Sequence, residues 1–301
     1  MQHYTEWFDI TDQRFKKLIL PNAHVDLLYS DGRWLEGPVY VPAARHLLFS
    51  DIPNNRVLRY NESDASVSTF AAPANFANGH TLDAQGRVLA CEHLTRRVTR
   101  TEHDGSTTVL ADQFQGKRLN SPNDVIASAT GEVWFTDPTY GISTEYEGMR
   151  AESEIGANHV YRLAADGTLT AVVSDLVQPN GLAFSNDEYT LYVVDSGSTP
   201  ARLFAYDLGA DGMPVAHRLL RECEVGIYDG FRVDWQGNIW ISAGDGVHCL
   251  SPQGELLGKI LLPETVSNVC FGGAALNRLY ITATRRLYAV FLNTKAVALP
   301  Q

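Results

Sequence analysis

After residue 24 the chain is a succession of short apolar runs with strand-like alternation, broken every few positions by turn residues. The stretch from Val39 to Phe70 shows the module. Val39-Tyr40-Val41 leads to His46-Leu47-Leu48-Phe49-Ser50-Asp51 and then to Arg56-Val57-Leu58-Arg59-Tyr60. The polar turn Asn61-Glu62-Ser63-Asp64 follows, and then Ser66-Val67-Ser68-Thr69-Phe70. This order of four strands and three turns repeats with inner strands starting near Thr81, Val125, Leu182, Phe231 and Val269. No helical periodicity of any length follows residue 24. A doubly wound fold, which needs long helices between its strands, is therefore not expected.

A related phrase stands at the head of each module: Glu36-Gly37, Asn78-Gly79, Asn123-Asp124, Asn180-Gly181, Asp229-Gly230 and Asn268-Val269. The steps between them are 42, 45, 57, 49 and 39 residues, the size of a propeller blade. The pattern predicts an all-β, six-bladed β-propeller with four-stranded antiparallel blades, one domain over residues 1–301, with the six residues ringed around one mouth of the channel. An insertion from Pro138 to Ala157 accounts for the long step. Blade six is short of an outer strand, and Val25–Tyr29 is spare. The expectation is that this N-terminal strand pairs there and closes the ring, removing two open edges. Residues 1–24 form an N-terminal extension. A short helix is expected over Asp9–Leu18, capped by Thr11 or Asp12, with Phe15 and Leu18 on one face.

Charge and cysteines narrow the class. A net charge of −11 argues against nucleic acid and anionic membrane as partners. The cysteines Cys91, Cys223, Cys249 and Cys270 form no CxxC pair and lie in or beside apolar segments, where buried, inert thiols are expected. The N-terminus lacks a basic-then-apolar leader, and no apolar run is long enough to span a bilayer. The expected setting is cytoplasmic, as a monomer or weak homo-oligomer.

Candidate chemistry lies in the ring. Glu36, Asn180 and Asp229 offer two carboxylates and one amide oxygen, hard donors that suit Ca²⁺, Mg²⁺ or Mn²⁺. Two carboxylates facing one channel repel each other unless a cation lies between them. Zinc by its usual ligands is less favoured, since paired cysteines and HExxH are absent. There is no Gly-rich phosphate loop and no GxSxG nucleophile. His80 and His93 are open to acid–base or structural roles. Asp51, Glu92, Asp137 and Asp195, at strand ends, are open to lining the channel or bracing the blades. Tyr140, Glu145 and Tyr146 in the insertion are lid candidates.

Several phrases together carry a resemblance: Trp34-Leu35-Glu36-Gly37-Pro38, Phe49-Ser50-Asp51-Ile52-Pro53, Leu89-Ala90-Cys91-Glu92-His93, Ser121-Pro122-Asn123-Asp124-Val125, Trp134-Phe135-Thr136-Asp137-Pro138, Pro179-Asn180-Gly181-Leu182 and Asp229-Gly230-Phe231. From about Phe8 onwards the chain resembles the gluconolactonase branch of the gluconolactonase/regucalcin/luciferin-regenerating-enzyme family. The resemblance implies six blades and one divalent cation, Ca²⁺ first, with Mg²⁺, Mn²⁺ or Zn²⁺ as alternatives, held by Glu36, Asn180 and Asp229. It implies Asn123 as a substrate contact. The family's arginine two residues earlier is Ser121 here, which leaves Arg118 to take its place. The activity implied is metal-assisted hydrolysis of a small-molecule sugar lactone, such as glucono-1,5-lactone, to the aldonic acid, with Asp229 as general base. A related metal-dependent esterase or organophosphate hydrolase and a non-catalytic scaffold are the alternatives.

Overall fold

The computed structural model describes residues 6–297. Six antiparallel sheets stand around a channel, each inner strand packing on the inner strands of both neighbours and the sixth returning to the first. From the channel outwards, blade one is Leu35–Val41, His46–Asp51, Arg56–Asn61 and Val67–Ala71. The inner strands of blades two to six are Ala77–Leu82, Val125–Ala127, Pro179–Phe184, Phe231–Val233 and Val266–Gly272. Strand alternation fits this packing, because the cores lie between neighbouring blades. Leu35, Phe49 and Leu58 of blade one, for example, meet Tyr280 and Leu287 of blade six in one buried cluster.

Closure falls where the sequence places it. Asp26–Tyr29 pairs antiparallel with Arg286–Phe291 and is the fourth, outermost strand of blade six. Velcro of this kind joins an early strand to the last hairpin in one sheet and covers the edge of Arg286–Phe291. The helix expected over Asp9–Leu18 does not form. Phe8–Ile10 is instead a fifth strand on blade five, in register with Gly258–Ile260, and only Phe15–Lys17 makes a single 3₁₀ turn. The outer edge of blade five offers unpaired backbone groups, and pairing with them outweighs a weak helix of two turns. The packing expectation holds: Phe15 and Leu18 are both buried, Phe15 beside Trp240. Asp12 accepts the Arg14 N–H and its guanidinium, so it stabilises the turn. The two-stranded hairpin Gln113–Phe114/Lys117–Arg118 was not anticipated.

All four cysteines are free and buried, and burial pushes their thiols up, Cys223 to about 11. Among the described residues no helix is long and apolar enough to cross a membrane.

Candidate active site

The inner strands of blades one, two, four and six carry one extra residue near their heads, breaking register between Glu36 and Val39, Ala77 and His80, Pro179 and Leu182, and Val266 and Asn268. A bulge re-aims the side chains beside it. Glu36, Asn78, Asn180 and Asn268 sit at these irregularities, while Asn123 and Asp229 stand just ahead of their shorter inner strands. Five of the six are buried and Asp229 is half-buried.

The glycine beside a ring residue has a steric cause. Gly37 holds φ +53°, and a Cβ there would lie 1.9 Å from the Asn78 carbonyl oxygen. Gly181 comes as near to the next blade, its would-be Cβ 2.3 Å from the Asp229 carbonyl oxygen. Blades thus meet backbone to backbone at the mouth, which brings their ring side chains within hydrogen-bond reach.

Hydrogen bonds join the ring residues in two groups. Asn78 Nδ2 donates to Asn123 Oδ1 at 2.5 Å, and Asn123 Nδ2 donates to Asn180 Oδ1 at 2.6 Å. Across the channel, Asn268 Nδ2 donates to Glu36 Oε2 at 3.1 Å, and the Gly37 N–H donates to the same oxygen at 2.5 Å. Burial raises the Glu36 and Asp229 carboxyls well above the ordinary range, and the negative charge on Glu36 raises Asp229 further. Asn180, near Asp229, works in the opposite direction. Asp124, beside the ring, is also raised by burial, against the nearby Arg232 guanidinium at 3.6 Å; its Oδ2 is buried with no hydrogen-bond partner. Among the described residues no three His, Cys, Asp or Glu side chains are grouped to hold a metal. The Glu36 and Asp229 carboxylates and the Asn180 amide oxygen are hard oxygen donors of the kind that could hold a cation.

The remaining candidates separate by their contacts. His80 Nδ1 bonds the Gly37 carbonyl at 3.0 Å, and His93 Nδ1 bonds the Glu147 carbonyl at 2.9 Å. Burial lowers both imidazoles to about 4, so they are neutral braces near pH 7. Asp51, Glu92 and Asp195 brace the blades: Asp51 takes Arg33 N–H and Arg56, Glu92 takes Arg97, and Asp195 takes Gln178 N–H and Ser198. Asp137 accepts the Asn120 N–H, and burial raises it to about 7. Arg118 is exposed on the hairpin; its guanidinium bonds the Thr95 carbonyl and its N–H bonds Glu154 in the insertion. Its bonds thus lie on the rim, and Ser121 bonds the Pro138 carbonyl and the Gly141 N–H below it.

Of the lid candidates, Tyr140 reaches the ring, near Ser196, Asn180 and Asp229. Glu145 caps the Arg150 N–H in solvent, and Tyr146 is exposed. Glu147 was missed. Its charge acts on both Glu36 and Asp229, and burial raises its own carboxyl to about 7. No sequence signal marks it, because it sits in a polar loop with nothing apolar beside it but Tyr146 and Met149.

The chain is 35% identical to a gluconolactonase of Zymomonas mobilis over 93% of its own length and 85% of that protein. It is 30% identical to a pentonolactonase of Haloferax volcanii over 82% of its length and 80% of that protein. A solved gluconolactonase structure from Xanthomonas campestris superposes with TM-score 0.89 at 38% identity, covering 95% of each chain. The model of the SMP-30/Gluconolactonase/LRE-like region matches residues 34–285, from the Glu36 phrase to the turn between Arg278–Ala283 and Arg286–Phe291 in blade six, and the chain belongs to that family.

Proposed function

We propose that this lactonase hydrolyses an aldonolactone such as glucono-1,5-lactone to the aldonic acid with the help of one divalent cation held by Glu36, Asn180 and Asp229. The observation that carries this reading is the placing of two carboxylates, Glu36 buried and Asp229 half-buried and both raised, with an amide oxygen at one mouth of the channel. Kinship with lactonases supports the reaction class. A cation bound there, Ca²⁺ first by donor chemistry, supplies Lewis acidity for the ester carbonyl.

The chain's own groups have distinct tasks. Asp229 has two carboxylate oxygens, so it can serve the cation with one and take the proton of the attacking water with the other. Water adds to the carbonyl carbon, the ring C–O bond breaks, and Asp229 returns the proton to the leaving oxygen. Asn123, whose amide is fixed by Asn78 and Asn180, presents an oriented polar group to the substrate. Tyr140, beside Asn180 and Asp229, is assigned to the wall of the site on that side. Arg118, on the rim, is assigned to substrate entering the channel.

The test is hydrolysis by metal-stripped protein, with Ca²⁺, Mg²⁺, Mn²⁺ or Zn²⁺ restored one at a time, over a panel of aldonolactones and one aryl ester. Cation-restored turnover of an aldonolactone that is lost in Glu36→Gln and Asp229→Ala is the expected result. Turnover of the aryl ester alone, or lactone turnover indifferent to metal, overturns the reading.

A further inference from the structure

The blade-three insertion is a fastened wall of the channel, and its one inward acid is Glu147. The short helix Tyr140–Ser143 is pinned from below by the Gly141 N–H on Ser121 Oγ at 3.0 Å. Gln178 of blade four clasps Thr139 through both its amide groups, at 3.1 and 2.9 Å. The returning strand is held by Met149 N–H on the Gly141 carbonyl and Ala151 N–H on the Ile142 carbonyl, each at 3.0 Å. Ile142 is buried. Between these ties, the Glu147 carbonyl accepts from His93 Nδ1, and the other ring nitrogen of His93 stands 3.5 Å from Asn78 Nδ2. His93 therefore locks the Glu147 backbone to the ring, and the Glu147 carboxylate lies within electrostatic reach of Glu36 and Asp229.

The charges at the mouth can be paired off. A divalent cation cancels Glu36 and Asp229. Arg232 cancels Asp124. Glu147 is left over: among the described residues no side chain is hydrogen-bonded to its carboxylate, and burial raises it. The guanidiniums of Arg96 and Arg118 are engaged elsewhere, with the carbonyls of Leu119, Asn120 and Thr95 and, for Arg96, with Glu154 at 3.8 Å. A lone carboxylate accepts hydrogen bonds from hydroxyl groups and repels anions.

Resting on the lactonase reading above, we propose that Glu147 sets the substrate class: it receives the hydroxyl groups of neutral polyhydroxy lactones and excludes lactones bearing a phosphate, sulfonate or carboxylate. One like charge at about 7 Å, with an effective dielectric of about 20, separates neutral from anionic ligands by about tenfold to fiftyfold.

The experiment pairs turnover with binding in wild type and Glu147→Gln, which keeps shape and removes charge. Turnover compares glucono-1,5-lactone with its 6-phosphate at pH 7.5 and saturating Ca²⁺, with the uncatalysed rate subtracted. Calorimetry compares D-glucitol with D-glucitol 6-phosphate. Wild type is expected to favour the neutral member of each pair, and the preference should shrink at least tenfold in Glu147→Gln, with unchanged thermal melting. High salt should shrink it in wild type as well. A preference unchanged by the substitution in folded protein, or no preference in wild type, overturns the assignment. If no lactone turns over but the glucitol preference is present and shrinks, the lactonase reading falls and the role of Glu147 stands. If neither glucitol binds and no lactone turns over, both fall.

Discussion

Gly181→Ala tests whether the site depends on blades meeting backbone to backbone. The glycine lies next to Asn180 on the inner strand of blade four. An alanine Cβ there stands 2.3 Å from the Asp229 carbonyl oxygen and 2.9 Å from Gly230 Cα. Both obstacles are backbone, so no side chain can swing away. Relief requires the heads of blades four and five to part by roughly 0.7 Å or more, given that Cβ contacts below 3.0 Å essentially never occur. That displacement moves Asp229 against Asn180, two of the three proposed cation ligands. Overpacking of this kind costs about 1–3 kcal/mol of stability. A misplacement near 1 Å at a reacting group costs about a hundredfold in rate. The control is Gly167→Ala in the hairpin of blade three, where φ is +86° and no atom lies within 4 Å of the added Cβ. It costs about 1–2 kcal/mol from left-handed backbone alone and leaves the mouth untouched. Urea unfolding and kcat/KM for the lactone, measured across a Ca²⁺ titration, separate the two. Gly181→Ala should lose about a hundredfold in kcat/KM and need more Ca²⁺, while Gly167→Ala keeps wild-type kinetics at similar stability. Equal kinetics in the two variants would refute the reasoning.

Three further outcomes follow from other parts of the molecule. Asn123→Ala removes the middle of the Asn78–Asn123–Asn180 relay, leaves buried amide groups unpaired, and should cost about 1–3 kcal/mol in urea unfolding together with a weaker Ca²⁺ midpoint; an unchanged midpoint counts against the relay. His80 and His93 should stay neutral in a histidine NMR titration until the pH nears about 4, while exposed imidazoles titrate close to 6.5. Their lowered pKa gives stability that is complete above about pH 6.5 and lost as pH falls towards 4, whereas Asp137, raised to about 7, works oppositely and favours the fold below that pH. A resonance of either histidine titrating near 6.5 contradicts their burial as braces. Phe15→Ala should cost about 3–5 kcal/mol, since the ring is fully buried beside Phe8 and Trp240; a loss below about 1 kcal/mol would mean that the N-terminal segment is not part of the blade-five core.

What could be read in the chain beforehand was whatever local pattern determines. Alternation and turn residues gave the blades, and the shortage of strands in blade six gave the pairing of Val25–Tyr29, because a closed ring leaves one place for it. Phe8–Ile10 escaped because its three residues carry no strand signal of their own. An unpaired edge at Leu256–Leu261, far away in sequence, decides their state. The ring positions were legible, since each repeats at a blade head, but their bonds were not. Whether Asn123 faces Asn180 depends on how closely two blades approach. Glu147 was invisible for a related reason: its burial is created by the insertion folding back onto His93, a contact 54 residues away.

The order of residues around the mouth also divides the labour. Blades two, three and four contribute consecutive asparagines, joined side chain to side chain, and so form an arc of oriented neutral groups. Blades five, six and one contribute Asp229, Asn268 and Glu36, an arc in which an amide separates two acids and bonds one of them. Asn180 belongs to both arcs, accepting from Asn123 on one side and acting on the Asp229 carboxyl on the other. A cation at the acid arc is therefore coupled through Asn180 to the amides proposed to hold the substrate. If Asn180 carries that coupling, removing its oxygen should weaken Ca²⁺ and substrate together. Removing Asn268, which touches only Glu36 in the ring, should weaken Ca²⁺ first.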